Sequence, residues 1–93
     1  MPMNIQSFLQ YIKFEKRFSP NTILAYENDL NQFSLYLSRV YELDDARAVT
    51  HSMIRSWMVV MMEEKITPRT INRKITTLKT YFRFLLLRDE AET

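Results

Sequence analysis

The chain has 93 residues, 46% of them hydrophobic and 26% charged, a balance that fits one folded domain with a modest core rather than a disordered segment. It has no cysteine and a single histidine, His51, which excludes disulfides, thiolate or multi-histidine metal sites and a cysteine nucleophile. The net charge is only +2, yet residues 65–88 hold seven basic side chains and no acid, and a local field of one sign points to an anionic partner.

Glycine is absent and proline occurs three times. A β-rich domain needs tight turns with positive φ, which glycine usually supplies, so the composition predicts an all-α fold. The N-terminus has no basic stretch ahead of its apolar residues and no small-residue cleavage site, so no signal peptide is expected. The longest apolar runs, "WMVVMM" and "FLLL", fall far below the roughly 20 residues that span a membrane. The expectation is a soluble cytoplasmic protein without a membrane, cofactor, metal or small-molecule partner.

Four helices are predicted. The first covers about 4–17, with Asn4 as N-cap and Ile5, Phe8, Leu9 and Ile12 at helical spacing. The second opens at "SPNT", where Ser19 caps and Pro20 fits the first turn. Its stripe of Ile23, Tyr26, Leu30, Phe33, Leu37 and Val40 carries it to Tyr41 or Glu42. The connection "ELDDARAV" is polar, and Asp44 and Asp45 are read as loop solvation.

Thr50 caps the third helix, predicted over 51–64. Met53, Ile54, Trp57, Met58, Met61 and Met62 form its apolar side, and Val59 and Val60 widen it, implying burial on more than one side. Core packing is the reading of the methionines, surface exposure that of His51. Thr67 and Pro68 repeat the cap-then-proline signal and open the fourth helix, predicted over 68–88, with "AET" frayed beyond it.

On a helical projection of that last segment, Ile71, Ile75, Leu78, Phe82, Leu85 and Leu86 form a core stripe. Arg69, Arg73, Thr76, Thr77 and Thr80 fall opposite, Lys74 and Lys79 on the flanks, and Asn72 and Arg83 beside the basic face. Such residue types suit nucleic acid. Arginine and lysine neutralise phosphates, arginine and asparagine read base edges, and threonine hydroxyls bond phosphate oxygens. Free N–H groups at the helix start, near Arg69 and Thr70, add a phosphate site. An ordinary solvated face is the competing reading of the same charges.

The stretches "FLQYIKFEKRFSPNTILAYENDLNQFSLYL" and "ITPRTINRKITTLKTYFRFLL" together resemble the N-terminal core-binding domain of tyrosine recombinases, the phage-integrase and Xer-like family. The resemblance rests on Glu15-Lys16, on Ser19 and Thr22, and on Tyr26, Asp29-Leu30 and Phe33. It continues through Thr67, Thr70-Ile71-Asn72-Arg73, Tyr81-Phe82 and Phe84-Leu85. It implies an orthogonal four-helix bundle of the SAM-like type, forming half of a C-shaped clamp on duplex DNA. It further implies DNA contacts from Ser19, Asn21 and Thr22 on the second helix. On the fourth helix it implies contacts from Arg69, Thr70, Asn72, Arg73, Lys74, Thr76, Thr77 and Lys79. The glycine common in the family before the last helix is missing, which leaves the approach angle of that helix open.

The family's catalytic half carries an arginine and histidine cluster and a tyrosine nucleophile. This sequence has one histidine and no His-x-x-Arg element. Tyr26 and Tyr81 sit on or beside core stripes, and Tyr11, Tyr36 and Tyr41 have no catalytic companions. The expected role is therefore DNA binding by a single non-catalytic domain over residues 1–93, monomeric in isolation and joined to other recombinase protomers through a full-length tetramer. Two other readings stay open: a helical protein-interaction module, and a small helical transcription regulator, which would need a dimer surface and a tight helix-turn-helix joint.

Overall fold

A computed structural model describes residues 5–92, with side chains described through residue 88. The expected N-cap Asn4 and the terminal Thr93 lie outside the described residues. The fold is all-α. It consists of α1 (Ile5–Phe14), α2 (Pro20–Tyr41), a 3-10 turn (Ala46–Ala48), α3 (His51–Glu63) and α4 (Pro68–Glu92). Among the described residues there is no strand, and no helix is long and apolar enough to cross a membrane.

Helix starts follow the predicted chemistry. Ser19 adopts an extended backbone (φ −65°, ψ 155°) and accepts the Thr22 N–H, and Thr50 accepts the N–H of Met53. Each satisfies a backbone donor that the first turn leaves without an intrahelical partner. The connection after α2 is more ordered than its polar composition suggests. Asp45 is not mere loop solvation: it accepts the Arg47 N–H at 3.0 Å and caps the 3-10 turn.

Helix ends show how a glycine-free chain turns. Arg17, Glu42 and Lys65 take left-handed φ values of 55°, 52° and 62°. Each is followed by an apolar residue, Phe18, Leu43 or Ile66, that packs against the core. The N–H of that residue closes on the last turns: Phe18 on the Ile12 carbonyl, Leu43 on Leu37 and Ile66 on Met61. With Lys65 N–H bonded to the Met62 carbonyl as well, the end of α3 is a Schellman motif. Lys65 thus occupies the place where a glycine would be the unstrained choice, and the turn into α4 closes without one. The left-handed Arg17 also explains why α1 stops at Phe14, short of the predicted 17.

Phe8 of α1 is the hub of the core, fully buried. It stacks on Tyr26 at 6.5 Å, meets Tyr81 edge-on at 5.3 Å and leans on Phe84 at 5.5 Å, geometries that aromatic quadrupoles favour. Phe33 and Trp57, 5.0 Å apart, join α2 to α3. Helix α2 contacts α1, α3 and α4 and is the scaffold of the bundle.

Several stripe positions expected inside lie outside. Val40, Val59, Met62 and Leu86 are exposed. Helix α3 fully buries only Trp57 and Met61, so it covers the bundle on one side rather than two. Helix α4 runs on through Glu92, past the predicted end at 88.

Candidate functional site

The surface with the strongest chemical character is the outer face of α4. Arg69, Asn72, Arg73, Thr76, Lys79 and Arg83 are exposed there. On this face the Thr80 hydroxyl is turned back on its own helix, donating to the Thr76 carbonyl at 2.9 Å. The start of α4 is a small capping unit. Thr67 Oγ1 accepts the Thr70 N–H at 3.3 Å, and the two threonine hydroxyls bond at 3.1 Å.

The start of α2 is built the same way. Ser19 Oγ accepts the Thr22 N–H at 3.3 Å and its hydroxyl pairs with that of Thr22 at 2.9 Å. The two starts match residue for residue in type. "RFSPNTI" and "KITPRTI" each run left-handed cation, apolar plug, hydroxyl cap, proline, polar residue, threonine, isoleucine. Of the second-helix residues expected at the interface, Ser19 and Asn21 are exposed and Thr22 is half-buried. The hydroxyls of Ser19, Thr22 and Thr70 are engaged in these caps.

Beneath the α4 face lies a charged cluster that binary patterning did not reveal. Asp29, on the core side of α2, is fully buried. Its carboxylate accepts Arg73 Nε at 3.3 Å and Arg73 Nη2 at 2.7 Å. It also accepts Lys74 Nζ at 3.0 Å and Thr77 Oγ1 at 2.8 Å. Lys74 donates in addition to Gln32 Oε1 at 2.5 Å. Burial by itself pushes the Asp29 carboxyl up and is the largest single influence. The hydrogen bonds from Arg73, Thr77 and Lys74, with the Lys74 charge, together outweigh it and hold the group below the usual aspartate value.

Two expected surface residues are therefore corrected. Lys74 is 5% exposed and Thr77 fully buried, so neither presents its polar group outward. The physical reason is Asp29. A buried carboxylate needs cationic and hydroxyl partners, and it draws them from the side of α4 that faces α2. The buried face of α4 accordingly runs through Ile71, Lys74, Thr77, Leu78, Tyr81 and Phe84, rotated by about a quarter turn from the stripe drawn through Ile75, Phe82 and Leu86. The same rotation brings Asn72, Thr76 and Arg83 to the middle of the outer face.

Arg73 alone bridges the two environments. Its side chain is 45% exposed while its Nε–Nη2 edge is fixed on Asp29. Asp29 is the residue that sequence reasoning passed over in assigning roles. Its signal was present: a lone acid one turn from Tyr26 and Phe33 on an otherwise apolar stripe, in a chain whose last helix has no acid among its first five turns. Among the described residues, no cluster of histidine, aspartate or glutamate could hold a metal ion.

Comparison with known proteins bears on the family of the chain. The family described as phage integrase, N-terminal SAM-like domain, matches residues 5–89. Tyrosine recombinase XerC of Halalkalibacterium halodurans is 33% identical over 82 residues, 88% of this chain and 27% of that protein. Tyrosine recombinase XerD of Rickettsia bellii is 38% identical over 82 residues, 88% of this chain and 26% of that protein. XerD of Rickettsia prowazekii is 37% identical over 90 residues, 95% of this chain and 28% of that protein. The chain thus spans about a quarter of the length of these relatives. No solved structure gave a significant match.

Proposed function

The chain belongs to the phage integrase N-terminal SAM-like domain family, found here in tyrosine recombinases, and on that premise we propose that it binds duplex DNA as a non-catalytic half-clamp of a site-specific recombinase. The observation that carries this reading is the outer face of α4 over residues 68–88, which hold no acid, with Arg69, Asn72, Arg73, Thr76, Lys79 and Arg83 exposed together. A helix of this width fits a major groove, where arginine and asparagine can bond base edges and the remaining cations neutralise phosphates.

In this reading the α4 contact set is Arg69, Thr70, Asn72, Arg73, Thr76 and Lys79, extended by Arg83. Lys74 and Thr77 support it from below. Ser19, Asn21 and Thr22 contribute from α2 through a capped helix start, where the Asn21 N–H is the backbone donor left for a phosphate oxygen. Strand cleavage and rejoining belong to another region of the recombinase, and other protomers join it through the full-length assembly. The isolated chain acts as a cytoplasmic, nucleoid-associated monomer that binds weakly.

The test is titration of the chain against duplex DNA at several salt concentrations. Affinity should fall steeply with salt. Arg69→Ala combined with Lys79→Ala, neither of which touches Asp29, should lower the slope of log K against log salt by about two. Binding to a protein without salt dependence, in the absence of any DNA affinity, would refute the reading in favour of an interaction module.

A further inference from the structure

The buried carboxylate of Asp29 sits under a surface proposed to meet a polyanion, where an acid is electrostatically unfavourable. Its hydrogen-bond pattern points to a role for it there. Of the four donors on Asp29, Lys74 and Thr77 are buried with it, and only Arg73 reaches solvent. Arg73 is gripped side-on, through Nε and Nη2. That grip leaves Nη1 and the second Nη2 hydrogen as the free donors.

We propose that Asp29 is a positioning residue for DNA recognition: it fixes the guanidinium plane of Arg73 so that the free Nη edge is presented to the duplex, while Lys74 neutralises the carboxylate from within and makes no DNA contact. This inference rests on the DNA-binding reading above. Three features support it. A long exposed arginine normally gives up substantial rotamer freedom on binding, and a two-point grip removes that freedom beforehand. Side-on pairing with a carboxylate defines a plane, which a lysine at the same place could not do. The Lys74 amino group, held by both Asp29 and Gln32, offsets the acid's charge so that the outward field stays positive.

The sign of one substitution separates this from a merely structural or merely electrostatic role. Asp29→Asn removes a negative charge next to the interface, so simple electrostatics makes the variant bind DNA more tightly. The positioning role makes it bind more weakly, by about fivefold or more, in the variant shown folded by circular dichroism at the assay temperature. In the Arg73→Ala background the same change should have no further weakening effect, since the residue being positioned is gone. Arg73→Lys, which keeps the charge and leaves Asp29 in place, should lose as much affinity as Arg73→Ala. Lys74→Met should leave the salt slope unchanged.

Unchanged or tighter binding by folded Asp29→Asn overturns the proposal, as does an additive effect with Arg73→Ala. If Asp29→Asn does not fold, wild-type-like binding by Arg73→Lys overturns it on its own. The DNA-binding reading is judged separately, by wild-type affinity and by the Arg69 and Lys79 variants. If those respond as expected while Asp29→Asn does not, only the positioning role falls; if wild type fails to bind DNA, both fall.

Discussion

Asp29 dominates the chemistry at the residue scale. A fully buried carboxylate with four donors is costly to disturb because its removal strands the Lys74 ammonium in the core. Asp29→Asn should destabilise the chain by about 2–4 kcal/mol in urea unfolding, a large share of the 5–15 kcal/mol typical of native proteins. The pH dependence follows from the carboxyl being held below its unfolded value. Between the folded and unfolded pKa the unfolded chain binds more protons, so stability rises with pH there. This contribution is fully present above the ordinary aspartate range, about pH 4–5. It is lost as pH falls through the folded pKa. Urea midpoints measured from pH 7 to pH 2 should therefore drop less steeply in Asp29→Asn than in wild type. A parallel acid limb in the two proteins would show that Asp29 does not contribute.

A second residue-scale prediction concerns Lys65, which holds φ 62° at the end of α3. A side chain with Cβ in that region costs about 1–2 kcal/mol that glycine avoids. Lys65→Gly should raise stability by about 0.5–1 kcal/mol after allowing for the looser unfolded chain, read as a Tm increase of about 2–8 °C. A decrease would mean that the lysine side chain supports the turn in some other way.

At the scale of elements, the two capped starts are the best-read parts of the sequence. "SPNT" and "TPRT" specify their structure through atoms three residues apart, and local hydrogen bonding leaves little for the rest of the molecule to override. The existence and order of the four helices, and the burial of Phe8, Ile12, Tyr26, Leu30, Phe33, Leu37 and Trp57, were equally legible from periodicity. The facing of α4 was not. Counting apolar side chains alone puts Thr77 on the outer face and Lys74 on its flank, because a projection of one helix cannot see an acid on another. Tyr81 and Phe84, rather than Phe82 and Leu86, fill the core because the polar contact with Asp29 and the aromatic contact with Phe8 lie on the same side of α4. The ends of α1 and α4 were also illegible: one depends on a left-handed arginine, the other on a polar final turn that lacks an apolar signal.

At the scale of the whole molecule, charge is segregated by element. The acids occupy the turn after α1, α2, the connection after it, the end of α3 and the last turn of α4, leaving most of α4 uniformly basic. A net charge of +2 therefore understates the field at one surface, and long-range attraction to a polyanion should be strongly screened by added salt.

The Asp29 cluster also divides the folding reaction in time. Its hydrogen bonds join residues 44 to 48 positions apart, whereas the caps and Schellman turn close over a few. Contacts that require closing so large a loop are expected to form after the transition state, once α1, α2 and α3 have associated. Stopped-flow measurements should then show Asp29→Asn unfolding about 20-fold faster or more, with a refolding rate within about a factor of two of wild type. The opposite partition would place the ion cluster in the nucleus. On the expected outcome, the bond that ties α2 to α4 sets how long the folded molecule lasts rather than how quickly it is made.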